Sequence, residues 1–347
     1  MAVIHIFNPE HDIALASNLS NFTAPHAARQ LRHDLGYLPA LWAEDGDCVL
    51  VDNVAKAERD FMRLVHRPFG RFIDQTMLCT LNESFRRVVP WGWDRALRAY
   101  LLRWGFQSVP TEQKLTTVRR LSHRCKAASL LAELQTEGTT GQAWVGGSPT
   151  FVRNVLAEQR RIVVKAPWSS SGRGIRFVDD SLPESVERWL KNVIKAQRNI
   201  VVERYCDKVK DFGMEFESDG RGRVTYLGLS LFSTRNGAYT GSILAPEEEK
   251  REMIGRYIDL ELLDTVRDRI CQRLGELYNH RYAGPFGIDM MVVRGDGRHP
   301  FLLNPCVEIN VRRTMGHVAL ALARECPAGS VMRVEFIDHT YKLKIQQ

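Results

Sequence analysis

A chain of 347 residues, 44% hydrophobic and 26% charged, has the material for two or three packed domains and is neither a fibrous nor a disordered polymer. Its net charge of +7 favours an anionic partner, yet no basic run exceeds a pair such as Arg160–Arg161, which disfavours a dedicated nucleic-acid binder. Seven scattered cysteines without a CxxC pair suggest neither a disulfide framework nor a zinc site, and no stretch approaches a membrane span, so a soluble cytoplasmic protein is expected.

Residues 2–7 (AVIHIF) read as a buried first strand. The polar stretch that follows, with Asn8, Glu10, His11 and Asp12, falls where open α/β sheets bind ligands, and equally where a helix needs a cap. Short strands are expected at 48–53 and 85–90, the second running into PWGWD, whose tryptophans belong to the core or to a pocket wall. Helical spacing over 94–105, stopped by Gly105, completes an alternating pattern, so residues 1–110 are expected to form an α/β domain with a mainly parallel sheet.

Helices are predicted over 116–134, 151–159, 186–197 and 259–280, with 136–149 as a polar, Gly-rich connector. Residues 199–206 read as a strand, and MEFES with RVTYLGLSLF as a hairpin around DGRGR. The charged run PEEEKRE (246–252) reads as a solvated helix start. Residues 286–310 are two apolar strands around a Gly-Asp-Gly turn.

Centring that turn near Gly295–Pro300 puts Asp289 opposite a residue near Cys306, with Glu308 as its diagonal neighbour. Glu308 and Asn310 share a face because strand side chains alternate. Asp289, Glu308 and Asn310 would then converge from apolar strands. Oxygen donors without His or Cys suit a hard cation such as magnesium, which fills its shell with water and substrate phosphates. The alternative is that these acids face solvent or pair with Arg312 or Arg313 just beyond.

The stretch IVVKAPWSSSGRGIRFV (162–178) spends far more Ser and Gly than a strand connection needs. Glycine lets backbone N–H groups approach a phosphate closely, and Lys165 before the loop supplies a point charge. The pattern is neither GxxxxGK[ST] nor a GxGxxG that opens a helix, which disfavours a conventional nucleotide triphosphatase or a dinucleotide fold.

In their order along the chain these parts resemble the ATP-grasp superfamily. The resemblance covers roughly 111–347 by motif and implies an α/β protein, turning α+β in its C-terminal part. It divides the chain into a parallel-sheet pre-domain (1–110), a lid subdomain (111–203) and a C-terminal subdomain (204–347) that carries the hairpin. It further implies that Arg124 stands where the family usually has a helix lysine, that Lys165 is the lid lysine, and that Ser169, Ser170, Ser171, Gly172 and Gly174 form the phosphate loop. Glu203 with the backbone of Arg204, Tyr205 and Cys206 would meet the adenine edge, Asp211 the ribose, and Asp289, Glu308 and Asn310 the metal.

The activity so implied is an ATP-dependent ligase that joins a carboxylate to an amine, an amino acid or peptide among them, through an acyl phosphate. Its cofactor is magnesium, with manganese as the other candidate ion. Arg312 and Arg235 are then candidates for holding the substrate acid or a phosphate. A phosphotransferase and a non-catalytic ATP-binding protein are the alternatives. His123 and His317 sit beside candidate site residues. No membrane partner is expected; an oligomer is left open.

Overall fold

The opening apolar run forms β1 (Ala2–Ile6), followed by α1 (His11–Ser17), α2 (His26–Leu35), β2 (Cys48–Leu50), α3 (Val54–Val65), β3 (Phe72–Ile73), α4 (Gln75–Leu81), β4 (Phe85–Pro90) and α5 (Arg95–Arg103). The four strands lie in the order β3-β2-β1-β4, all parallel, and the helices between them supply the crossovers that parallel pairing needs. Ile4, Ile6, Cys48, Ile73, Val88 and Leu101 make the core between sheet and helices. The computed structural model describes residues 2–81, 85–169, 174–235, 238–295 and 297–347.

His5 is buried within this sheet; its Nε2 lies 3.0 Å from Asp47 Oδ2, and Asp47 also accepts from the Val3 amide. Burial pushes His5 below its ordinary value, more than the hydrogen bond and charge of Asp47 push it up. Burial works to raise Asp47, but hydrogen bonds from His5, Val3 and Glu44 outweigh it and hold the carboxyl low. Both groups therefore take up protons more readily in the unfolded chain, so both favour the folded state at neutral pH and lose that contribution on acidification. The His5 part is lost as pH falls from about 6.5, and the Asp47 part below about 3.8. The thermal midpoint is expected to drop between pH 7 and 5, at no more than about 1.4 kcal/mol per pH unit for one group. His5→Gln should flatten that slope, and an equal slope in the variant would refute this account.

The chain continues through α6 (Glu112–Leu121), α7 (Cys125–Glu133), β5 (Ala143–Gly146), α8 (Pro149–Gln159), β6 (Arg161–Lys165), β7 (Ile175–Asp179), α9 (Glu184–Gln197) and β8 (Ile200–Arg204). The single helix expected over 116–134 is two. It breaks at Ser122–Arg124, where the His123 ring accepts the Cys125 amide and so caps α7. The expected connector 136–149 contains a strand as well, since β5 pairs antiparallel with β8 and closes the sheet β5-β8-β6-β7. Ile162, Val164, Ile200 and Val202 point one way, onto Val152, Leu156 and Leu190 of the two helices. Period-two alternation then turns Val163, Lys165, Val201 and Glu203 to the opposite face.

Next come β9 (Lys208–Ser218), β10 (Val224–Ser230), β11 (Phe232–Arg235), β12 (Ala238–Leu244), α10 (Glu247–Gly255), α11 (Leu260–Tyr278), β13 (Gly284–Arg294) and β14 (Phe301–Asn310). Strands β10-β9-β13-β14 form an antiparallel sheet. Phe212, Met214 and Phe216 of β9 and Phe286, Ile288 and Met290 of β13 are buried on one of its faces, as are Val266, Ile270 and Leu274 of the amphipathic α11. The run read as a solvated helix start is only partly so. Glu247 of α10 accepts from the Leu229 amide and the Tyr226 hydroxyl, and Lys250 is buried with its Nζ 2.7 Å from the Leu229 carbonyl.

The chain ends in α12 (Met315–Leu322), β15 (Ser330–Ile337) and β16 (Thr340–Gln346). Two compact units result: Met1–Arg119 with Thr240–Pro246 and Arg312–Gln347, and Arg120–Tyr239 with Glu247–Val311. The last stretch goes with the first unit because β15 pairs with both β12 and β16. Among the described residues no helix is long and apolar enough to cross a membrane, and all seven cysteines are free thiols.

Candidate nucleotide and metal site

In the second unit the face of β6 and β8 turned away from the helices carries a buried ion pair, Lys165 Nζ to Glu203 Oε2 at 2.7 Å. Val163 is the register partner of Glu203, so the lysine two positions on reaches it as a diagonal neighbour. A cavity of about 440 Å³ opens there, lined on its apolar sides by Val163, Ile175, Phe177, Met291 and Val307. Lys165, Glu203, Arg204, Lys208, Asp211 and Asp289 supply its charges, and Tyr205 and Cys206 also line it. Burial, with the Glu203 charge, pushes the Cys206 thiol up, so this thiol stays neutral. Phe177, 68% exposed at the cavity, is a large apolar surface that the protein's own core leaves uncovered.

The hairpin register differs from the expected one. Pairing runs Arg294↔Phe301 to Met291↔Asn304, as the turn dictates, and then shifts to Asp289↔Glu308 and Gly287↔Asn310. Between the two registers β13 has only Met290, whereas β14 has Pro305, Cys306 and Val307. Proline cannot donate to a ladder, and the Cys306 amide turns to the Asn304 side chain at 3.3 Å. This bulge makes Asp289 and Glu308 direct cross-strand neighbours instead of diagonal ones, with Asn310 on the same face. Across β13, Asp289 pairs with Gly213 and Gly287 with Glu215, a buried carboxylate that sequence reasoning missed. Its signal was there: Asp211, Gly213 and Glu215 alternate along β9 against the apolar Phe212 and Met214. A Cβ at Gly213 would lie 3.0 Å from the Ile288 carbonyl, so the glycine lets β9 pass close to β13 beside that acid.

Arg124, at the N-cap of α7, gathers the start of the loop after β6 and the hairpin. Its Nη1 donates to the Ala166 carbonyl at 2.6 Å and Ser169 Oγ at 2.7 Å, and its Nη2 to Glu308 Oε1 at 2.6 Å. Its buried Nε has no hydrogen-bond partner among the described residues. Gly174 permits the close passage of the loop ends, since a Cβ there would meet Ser169 at 2.3 Å. Asp211 accepts from Lys208 Nζ at 2.6 Å and from Thr234 Oγ1 at 2.7 Å; neither partner was anticipated.

The hairpin acid Glu308 is thus paired with Arg124. Arg312 instead makes a two-pronged contact with Asp12 inside the first unit, with Nη2 2.6 Å from Oδ2. Arg313 stacks its guanidinium over Trp42 at 4.4 Å. Ser170, Ser171 and Gly172 lie outside the described residues, as does the side chain of Arg235. His123 and His317 both serve as caps, His123 for α7 and His317 within the capping box of α12.

The donor set fits a hard cation. Asp289 and Glu308 oppose each other on one face beside an amide, all oxygen donors of the kind a hard cation takes, although no group of three or more His, Cys, Asp or Glu side chains that could hold a metal ion is found among the described residues.

No protein-family model matches the sequence, and no curated protein does. Among solved structures the chain is similar to the biotin carboxylase–βγ-ATP complex of Campylobacter jejuni, with 11% identity, 96% of this chain and 75% of that one covered, and a TM-score of 0.54. It is similar also to the biotin carboxylase domain of 2-oxoglutarate carboxylase from Hydrogenobacter thermophilus, complexed with MgADP, ADP and bicarbonate, at 13% identity, 96% and 74% coverage and a TM-score of 0.52. N5-carboxyaminoimidazole synthetase from Staphylococcus aureus, complexed with ADP, aligns at 14% identity over 96% and 82% of the two chains, with a TM-score of 0.49. The chain shares the fold of these two biotin carboxylase structures.

Proposed function

We propose that this protein is an ATP- and magnesium-dependent ligase that joins a carboxylate to an amine or other nucleophile through an acyl phosphate. The observation that carries the reading is one cavity on which Lys165, Glu203, Asp211 and Asp289 converge from strands far apart in sequence. Its apolar walls suit a flat heteroaromatic ring, and its charged end suits a polyphosphate tail. In keeping with this, the two neighbours with TM-scores above 0.5 are complexes with adenine nucleotides, one of them as the magnesium salt.

In this reading Glu203 and the backbone of 204–206 take the adenine edge, Asp211 the ribose, and Lys165 a phosphate oxygen. Asp289, Glu308 and Asn310 hold magnesium, which when bound offsets charge on the terminal phosphates. Arg124 holds Ser169 and Glu308 in one frame, so loop and metal ligands are positioned together. The lysine and arginine charges stabilise the negative charge that builds on the transferring group. A reducing, cytoplasmic setting goes with this reading and with seven free thiols.

The test is ADP release from ATP and magnesium with a panel of amino acids and small peptides, each offered alone and in pairs. Release that requires both a carboxylate and an amine is the expected result. Release with one substrate and a stable phosphorylated product would make the protein a phosphotransferase. Nucleotide binding with no turnover across the panel would make it a non-catalytic binder.

A further inference from the structure

The NPEHD motif belongs to the first unit, whereas the cavity assigned to the nucleotide is lined by residues of the second. Asn8 is used structurally, its Nδ2 donating to the Gly92 carbonyl at 2.8 Å and to Asp94 Oδ2 at 3.2 Å. His11 packs so closely on Gly92 that a Cβ there would meet its ring at 2.6 Å. Asp12 is held by Arg312. Glu10 is different. It is 8% exposed, its Oε1 accepts from Arg32 at 2.7 Å, and its buried Oε2 has no hydrogen-bond partner among the described residues.

That oxygen lies in a residue lining a cavity of about 400 Å³, to which Ile6 and Phe7 at the end of β1, Leu50 and Val51 at the end of β2, and Tyr100 and Arg103 of α5 also contribute. Arg29 and Arg103 line it too, and their side chains form no hydrogen bond or ion pair among the described residues and are exposed enough to swing their heads, whereas the other charged lining residues are held, Arg32 by Glu10, Asp52 by His33 and Asp94 by Asn8 and His11. An unpaired buried carboxylate oxygen is costly, and it asks for an N–H or O–H donor. Burial pushes the Glu10 carboxyl up against the pull of Arg32, consistent with that unmet demand. Two cations at the rim and one acceptor within describe a ligand that carries both complements. The cavity volume is within the range of small-molecule sites.

We propose that the first unit binds a small metabolite bearing an oxyanion and, close to it, a hydroxyl or amino group: Arg29 and Arg103 take the oxyanion, and Glu10 Oε2 accepts the hydroxyl or amino hydrogen. This goes beyond the nucleotide site and stands whether or not that reading does.

The experiment is calorimetric titration of the full chain with malate, aspartate, glycerol phosphate and, as the acid without a donor, succinate. Binding by malate or aspartate identifies a carboxylate ligand, and binding by glycerol phosphate a phosphate one. At least one of the three is expected to bind with Kd below about 1 mM, and succinate at least about tenfold more weakly, the worth of a hydrogen bond to a charged group. Glu10→Gln keeps the shape and the Arg32 contact but removes the acceptor, and should erase the preference over succinate. Arg29→Ala, at an exposed position, should weaken the binding of every ligand about tenfold with an unchanged fold. The proposal is overturned by no binding across the panel, by succinate binding as well as the best ligand, or by affinities that both variants leave unchanged.

Discussion

Asp289→Asn should lower magnesium-dependent ADP release by about two orders of magnitude or more, the usual scale for losing a group that stabilises charge in transfer. The fold should survive, because the change is isosteric and lies on the face of the sheet opposite its core. Glu308→Gln should lower turnover as strongly but carry a second effect. Arg124, with a side chain only 4% exposed, would lose its anionic partner. Breaking a buried pair typically costs about 3–5 kcal/mol, and the loss here should sit at or below the low end because the Glu308 side chain is 30% exposed. The two variants are therefore separable: similar losses of turnover, but a lower thermal midpoint for Glu308→Gln alone. Undiminished turnover in Asp289→Asn would remove that residue from the site.

Lys165→Met should weaken nucleotide binding by about tenfold or more, since a charged hydrogen bond to phosphate is worth about 1.5–3 kcal/mol. It should also destabilise the protein, because Glu203, 13% exposed, would be left as a nearly buried carboxylate without its cation. The double variant Lys165→Met/Glu203→Gln isolates the stability effect, since it removes the uncompensated charge together with both nucleotide contacts. Stability is expected to recover as the uncompensated charge is removed, while nucleotide affinity is not. Wild-type affinity for Lys165→Met in a calorimetric titration would refute the phosphate role. Recovery of affinity in the double variant would show that the single one had failed through misfolding.

Much of this site was legible along the chain because strands alternate. Ile162 and Val164 flank Val163 and Lys165 in sequence, and Ile200 and Val202 flank Val201 and Glu203, so the buried set fixes which residues are left to face the cavity. The hairpin was legible from its apolar flanks and turn, and the ends of α5 from Asp94, which caps it, and Gly105, which stands just beyond in a left-handed conformation. The ordered recurrence of such local signals carried the fold class. Local signals also misled at 116–134, where apolar spacing runs straight through a break that His123 and Arg124 impose.

What the amino-acid order determined by itself was the identity and facing of side chains within each element, since propensity and periodicity act over a few residues. Which elements meet, and in what register, was decided only in three dimensions. The bulge at Pro305–Val307 moves Glu308 directly opposite Asp289, Arg124 reaches that acid from 184 positions away, and residues 312–347 return to the first unit. Such pairings are set by the burial of apolar faces and the satisfaction of buried charge across the whole molecule, and neither quantity is defined until the chain has folded.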